Sequence, residues 1–151
     1  MTSDIGEIGR SIKRLQMRHH RALNAALAPL GLTIVQWDAL RHIDENPGAS
    51  LHLLAELTYQ SDQAFGTLAS RMIERGLIER VVAPGRAVQH RLTRVGASQR
   101  QRGNELVVRT LESSFSALSP TQLTKFGDTL RIILATPLAT SSDHIAATTS
   151  N

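Results

Sequence analysis

The chain carries six histidines and 13 acidic residues, the side chains from which acid–base or metal chemistry is usually built. The histidines lie on different predicted elements, at His19, His20, His42, His52, His90 and His144. No H-E-x-x-H motif, nucleophile elbow or glycine-rich phosphate loop accompanies them. Asp38 and His42 have the i, i+4 spacing that can chelate a metal, but no third ligand is identified, which favours an ordinary surface pair. The sequence therefore predicts no enzyme, no metal site and no cofactor.

A cluster of arginines indicates a different chemistry, the binding of phosphate groups. Eight arginines and two acids lie between Arg71 and Arg102, although the net charge of the whole chain is only +4. A basic segment on a near-neutral body is typical of a surface that binds nucleic-acid phosphates. Every cation except Lys13 and Lys125 is an arginine, which suits bidentate contacts with phosphate. A bias in genomic composition would also explain the preference for arginine, but it would not explain the clustering.

Length and composition exclude several other classes of protein. The 151 residues, 41% of them hydrophobic and 20% charged, are typical of a single soluble domain. The absence of cysteine excludes disulfides, thiolate zinc sites and thiol-based oxidant sensing. No apolar run approaches the ~20 residues that would span a bilayer, and no signal peptide follows Met1. We therefore expect a cytoplasmic protein with no membrane partner.

The arginines are preceded by a predicted helix-turn-helix. Ser50 is expected to cap a helix over residues 51–57, and Ser61 a second helix over residues 62–75. The second helix has a predicted buried stripe of Phe65, Leu68, Ala69 and Met72. The residues predicted to point away from it are Gln63, Gly66, Thr67, Ser70 and Glu74. This is the arrangement in which a second helix enters the major groove of DNA.

A β-hairpin is predicted directly after this helix. Residues 77–82 and 87–92 are β-prone, Pro84-Gly85 is a turn signal, and Arg86 follows the turn. Thr93 is expected to cap the next helix.

Long helices are predicted on both sides of the helix-turn-helix. They cover residues 5–28, residues 33–44 after a capping box at Thr33, residues 94–118, and a last helix that begins with a capping box at Ser119. The first and the last two of these carry more apolar surface than a lone domain of this size needs. A second copy of the chain would bury that surface, which predicts a homodimer.

The motifs from Leu68 to Gly96 resemble those of the MarR family of bacterial transcription regulators. The recognition helix ends in Arg71-Met72-Ile73-Glu74-Arg75-Gly76-Leu77-Ile78-Glu79-Arg80, and after a turn come Leu92-Thr93-Arg94-Val95-Gly96. The resemblance extends over residues 5–136. This chain departs from the family in having a shorter wing that keeps Arg86 without an aspartate, and in having Thr67 where an arginine is frequent.

The resemblance implies a mainly α fold with a small β wing: a winged helix-turn-helix of six helices with a helical dimerisation region from both termini. The predicted domain covers residues 1–137, with dimerisation helices over residues 1–31 and 96–137. The DNA-binding lobe is predicted over residues 32–95, and a flexible tail over residues 138–151. Its function would be that of a sequence-specific regulator, expected to be a repressor, on a pseudo-palindromic operator in double-stranded DNA.

The predicted DNA-binding residues are Ser61, Gln63, Thr67, Ser70, Arg71 and Arg86. Backbone amides near Ser61 would hold phosphates, Gln63, Thr67 and Ser70 would contact base edges, and Arg86 would reach the minor groove or its phosphates. The alternative is a winged-helix protein that binds a protein partner instead of DNA, because the recognition helix has no Lys or Arg before Arg71.

Family members often release DNA when a small phenolic or anionic compound binds between their lobes. In this chain the predicted effector-binding residues are His19, Trp37 and Leu40. His19 lies on the apolar face of the first helix, where a polar ring needs a partner. It is either a hydrogen-bonded histidine of the core or dimer interface, or a polar group that lines an effector pocket. Trp37 is either a core residue or a platform for the ligand.

Overall fold

The computed structural model describes residues 4–138, which form six α-helices and one antiparallel β-hairpin. The helices are α1 (Ile5–Leu27), α2 (Ile34–Glu45), α3 (Leu51–Leu57), α4 (Asp62–Glu74), α5 (Arg94–Phe115) and α6 (Pro120–Ala135). The strands are β1 (Ile78–Val81) and β2 (Gln89–Leu92), in a register that pairs Ile78 with Leu92. The predicted fold class, mainly α with a small β wing, is confirmed.

Hydroxyl side chains cap the starts of five of the helices, and the Asp4 carboxylate caps α1. Each capping hydroxyl accepts a hydrogen bond from a backbone N–H in the first turn, which would otherwise lack a partner. The capping residues are Thr33, Ser50, Ser61, Thr93 and Ser119, and the cap predicted at Thr93 is thus present. At Thr33 and Ser119 the glutamine three residues later completes a capping box, as predicted.

Some elements are shorter than predicted. The first helix ends at Leu27 and continues as a 3-10 turn over Ala28–Leu30, because Pro29 lacks the N–H that another α-helical turn needs. The fifth helix ends at Phe115 and not at residue 118, because Ser119 must be extended to cap α6. The hairpin strands pair only over Ile78–Val81 and Gln89–Leu92, and in the loop over residues 82–88 the Arg86 N–H donates to the Ala83 carbonyl.

The chain divides into two compact units, Met1–Ser114 and Phe115–Asn151. The first unit holds the hydrophobic core, whose largest fully buried side chains are those of Phe65, Leu27, Leu40, Leu54, Met72 and Ile78. These residues come from α1, α2, α3, α4 and β1. The core therefore holds the helix-turn-helix and the base of the hairpin against the first two helices.

The second unit, described up to Leu138, contains α6. The rings of Phe115 and Phe126 lie 6.0 Å apart and tilted, a favourable aromatic arrangement. Ile132, Ile133 and Leu134 are exposed, at 70, 53 and 78%. Apart from Leu138, the predicted tail over residues 138–151 lies outside the described residues.

None of the helices in the described part of the chain has both the length and the apolar composition that a bilayer crossing requires.

Candidate nucleic-acid interface

The two short helices of the helix-turn-helix are fixed by their buried faces. Leu54 and Ala55 of α3 and Phe65 of α4 are almost completely buried, and the small Ala55 side chain allows the two helices to pack closely. Ala69 and Met72 continue the buried stripe along α4. With this face buried, the opposite face of α4 is turned outward.

The outward face of α4 carries the predicted base-contacting residues. Gln63, Thr67 and Ser70 are all exposed. The Thr67 hydroxyl donates to the Gln63 carbonyl at 3.1 Å, and the Ser70 hydroxyl donates to the Gly66 carbonyl at 3.0 Å. Both hydroxyls therefore keep lone pairs that can accept from a ligand, while the Gln63 amide offers both donors and an acceptor.

The start of α4 and its last turn hold the next two predicted residues. The Ser61 hydroxyl accepts a hydrogen bond from the Ala64 N–H at 3.1 Å, so this side chain is committed to capping the helix. Arg71 is exposed and, within residues 4–138, forms no ion pair with a carboxylate.

The hairpin presents Arg86 at its tip. The turn is possible because Gly85 takes a positive φ of 72°, a conformation that residues with a Cβ rarely adopt. Arg86 is exposed and has no carboxylate partner in the described residues. The tip therefore offers an uncompensated guanidinium to any polyanion that reaches it.

The arginine cluster is only partly neutralised by the protein itself. Across the hairpin, Arg91 Nε lies 2.7 Å from Glu79 Oε1, and Arg100 Nη2 lies 3.1 Å from Glu45 Oε1. Among residues 4–138, the other arginines of the cluster have no carboxylate within ion-pair distance: Arg71, Arg75, Arg80, Arg86, Arg94 and Arg102. Arg75 instead donates to the side-chain carbonyl of Gln36. The helix-turn-helix and wing thus retain several cations for an external anion.

The helices α3 and α4 and the hairpin together line a concave cavity of about 650 Å³. Its polar lining includes Ser50, His52, Asp62, Ser70, Arg80 and His90. His90 is only 8% exposed, its Nδ1 has no hydrogen-bond partner in the described protein, and burial lowers its pKa, with a further contribution from the charge of Arg80. Because Ser70 of α4 and Arg80 of the hairpin line the same cavity, the exposed face of α4 adjoins the wing.

A bridge between α3 and α4 was not predicted from the sequence. His52 Nδ1 lies 2.9 Å from Asp62 Oδ1, and His52 Nε2 lies 3.4 Å from Glu56 Oε1. The pKa of His52 is raised mainly by its hydrogen bond to Asp62, and further by the negative charges of Asp62 and Glu56. His52 and Asp62 are ten residues apart in the chain, so no local sequence motif predicts that they form a pair. The only signal in the sequence is that each lies at the start of one of two consecutive helices.

The predicted effector residues are not all in one place. His19 and Ser114 line a cavity of about 350 Å³ between α1 and α5, and His19 Nε2 lies 2.7 Å from Ser114 Oγ. Arg18 and Arg109 add two cations to this lining. A polar ring at this apolar position needs a hydrogen-bond partner, and the Ser114 hydroxyl provides one.

Trp37 and Leu40 are buried in the core and do not line this cavity. The Trp37 Nε1–H donates to the Arg100 carbonyl at 3.2 Å, which satisfies its polar atom. Its ring packs against α5 at Gly103, where a Cβ would lie 2.5 Å from Trp37 Cδ1. This close contact holds Trp37 away from the solvent, and His19 alone of the three lines the cavity.

In the predicted surface pair of Asp38 and His42, His42 Nε2 lies 3.7 Å from Asp38 Oδ1. Over residues 4–138, no three histidine or carboxylate side chains converge in a way that could hold a metal ion.

Comparison with known proteins gives a consistent set of relatives. A profile of the MarR family matches residues 30–87. The HTH-type transcriptional repressor Rv2887 of Mycobacterium tuberculosis is 33% identical over 93 residues, which are 60% of this chain and 66% of that protein. The alignment thus spans slightly less than two thirds of the relative.

Solved structures show the same fold over most of the chain. The M. tuberculosis MarR family protein Rv2887 in complex with salicylic acid has a TM-score of 0.71 and 25% identity, and the match covers 87% of this chain and 97% of that one. A mutant MarR from E. coli complexed with operator DNA has a TM-score of 0.76 and 24% identity, covering 87% and 99%. The chain therefore shares the fold of these proteins.

Proposed function

We propose that this chain is a MarR family transcriptional repressor that binds an operator in double-stranded DNA, because a MarR family profile matches residues 30–87 and the similar protein Rv2887 is a repressor. The main support for this proposal is the outward face of α4, which exposes Gln63, Thr67 and Ser70. Ser70 lines the same cavity as Arg80, an arginine without a carboxylate partner in the described chain. The relatives support it, because Rv2887 is a repressor and the E. coli MarR mutant was solved with operator DNA.

In this proposal α4 is the recognition helix. Gln63 is able to form a bidentate pair with adenine, while Thr67 and Ser70 contact neighbouring base edges through their hydroxyl oxygens. The backbone amides at the start of α4, ordered by the Ser61 cap, hold a phosphate. Arg71 contacts the DNA backbone, and Arg86 reaches the adjacent minor groove or its phosphates.

The protein acts as a homodimer. Ile5, Ile8 and Ile12 of α1 are 84, 46 and 53% exposed, and α6 exposes a further set of apolar side chains that a second copy would bury. The two recognition helices of such a dimer must be about 34 Å apart to enter successive major grooves. The operator is therefore pseudo-palindromic, residues 32–95 are the DNA-binding lobe, and residues 1–31 and 96–137 supply the dimerisation helices.

The function is tested by measuring fluorescence anisotropy of labelled DNA taken from just upstream of the protein's own gene. We expect binding that is tighter than on shuffled DNA of equal length and that weakens steeply as the salt concentration rises. A protein that binds neither DNA, or whose affinity does not change with salt, would favour the alternative of a winged helix that recognises a protein partner.

Replacing Gln63 with alanine should cost about 1–3 kcal/mol of binding free energy on the operator, because one bidentate base contact is lost. Binding to shuffled DNA should change little. The measurement compares operator and shuffled DNA for Gln63→Ala and for a control, Gln16→Ala, which alters an exposed glutamine of α1. Equal losses on both DNAs would exclude Gln63 from base recognition.

Replacing Arg86 with alanine should weaken binding to every DNA sequence, because the contact is to the backbone. The slope of log K against log salt should become less steep by about one unit. Arg131→Ala is the control, since that guanidinium is already paired with Asp128 at 2.8 Å. An Arg86→Ala protein with the wild-type salt slope would show that the wing tip does not touch phosphate.

A small phenolic or anionic effector is proposed to release the DNA. The relative Rv2887 was solved with salicylic acid, and the cavity beside His19 in this chain has Arg18 and Arg109 in its lining. A ligand there need only favour a dimer whose recognition helices are wrongly spaced. Salicylate is the probe to add to the anisotropy assay, and release of the operator by salicylate is the supporting result.

The protein is proposed to work in the cytoplasm, as a regulator and not an enzyme.

A further inference from the structure

The His52 bridge joins the two helices of the helix-turn-helix through exposed groups. The imidazole of His52 on α3 reaches the carboxylate of Asp62, the first residue of α4, at 2.9 Å, and that of Glu56 at 3.4 Å. The side chains of His52 and Asp62 are 67 and 59% exposed. Because both ring nitrogens face carboxylate oxygens, the doubly protonated imidazolium satisfies both contacts, whereas a neutral ring can donate to only one.

The bridge lies on the surface proposed to contact DNA. His52 and Asp62 line the same concave cavity as Ser70 of the recognition helix and Arg80 of the wing. Any duplex that lies against Ser70 and Arg80 therefore brings phosphates towards His52 and Asp62. With the ring neutral, Asp62 presents a bare negative charge to those phosphates; with the ring charged, the repulsion is offset.

We infer that His52 is a proton-dependent contact for the DNA backbone, so that operator binding takes up a proton at this residue and tightens as the pH falls. This inference rests on the proposed DNA-binding function. Phosphate close to the ring favours the imidazolium, and a group that binds a proton more strongly in the complex must strengthen the complex when protons are abundant.

Charged groups from each neighbouring element determine the pH range. Asp62 of α4 and Glu56 of α3 favour the imidazolium, whereas the guanidinium of Arg80 of β1 lines the same cavity and opposes further positive charge. His90 of β2 also lines the cavity. The carboxylates dominate and raise the pKa of His52 above its ordinary value of 6.5. The added affinity is thus fully present below the raised pKa of the free protein, and it is lost as the pH rises through the still higher pKa of the complex.

The other histidine of the cavity does not produce the same effect. Burial and the charge of Arg80 lower the pKa of His90 below its ordinary value of 6.5, whereas the pKa of His52 is raised above that value. Measurements at and above about pH 6.5 therefore separate the two histidines.

The test measures the dissociation constant for the operator at about pH 8.5 and about pH 6.5 at constant ionic strength. Wild-type protein should bind about three- to tenfold more tightly at the lower pH, since one unit of pKa shift at one group corresponds to tenfold. His52→Gln should remove most of this ratio, and His20→Gln, which replaces an exposed histidine of α1, should retain it. A His52→Gln protein that binds the operator with the wild-type ratio overturns the inference.

If His52→Gln does not fold, the variant Asp62→Asn tests the same inference. Asp62→Asn removes the main cause of the raised pKa, so an NMR titration should find a lower pKa for His52 than in the wild type. The variant should also bind the operator more tightly than the wild type at about pH 8.5, because a negative charge has left the DNA-facing surface. An unchanged pH ratio together with an unchanged His52 titration contradicts the inference. Absence of operator binding by the wild type at both pH values would instead refute the proposed function.

Discussion

Replacing Gly96 with alanine is expected to lower the free energy of unfolding by about 3 kcal/mol or more, the upper end of what overpacking usually costs. Gly96 lies in the first turn of α5 against the backbone of Leu77, and an added Cβ would be 1.8 Å from the Leu77 carbonyl oxygen. That oxygen already accepts hydrogen bonds from the N–H and the hydroxyl of Thr93, at 3.0 and 3.2 Å. It cannot move away without breaking the junction between the hairpin and α5.

Urea denaturation followed by circular dichroism measures this loss, and Gly9→Ala is the matched control. Gly9 lies in α1, and apart from its chain neighbours and the backbone of its own helix no atom of the described chain is within 4 Å of the position that an alanine methyl group would take. Alanine there should therefore raise the free energy of unfolding by roughly 0.5–1 kcal/mol. A Gly96→Ala protein as stable as the wild type would show that the hairpin and α5 do not approach each other this closely.

Truncation of Phe65 to alanine is expected to cost about 3–5 kcal/mol of stability, because it removes a large, fully buried ring from the core. Phe65 lies on the opposite face of α4 from Gln63 and Thr67. Loss of the ring leaves a cavity beneath the recognition helix, so we also expect operator affinity to fall by more than the affinity for shuffled DNA.

Thr67→Ala separates folding from recognition in the same helix. The Thr67 side chain is exposed and bonds only to the Gln63 carbonyl within the described residues, so its loss should change stability by no more than about 0.5 kcal/mol. Comparable stability losses for Phe65→Ala and Thr67→Ala in urea denaturation would contradict the assignment of α4's buried face.

The sequence alone determined the elements whose signals are local. Ser50, Ser61 and Thr33 each lie three residues before the N–H that they cap, and the stripe from Phe65 to Met72 repeats at helical spacing. Such patterns depend on backbone geometry that is the same in every protein, which is why the helix-turn-helix was placed to within a residue. The exposed row on α4 followed from the same periodicity, as did the family resemblance from the spacing of its motifs.

Only the tertiary structure decided which distant residues meet. Gly96 contacts Leu77, Gly103 contacts Trp37, His19 pairs with Ser114, and His52 pairs with Asp62. None of these partners is related by a helical or strand period, because their separation is set by how whole helices pack. For that reason Trp37, predicted beside His19, is buried against α5 instead. For the same reason His52, for which the sequence predicts no contact, bridges the two helices of the helix-turn-helix.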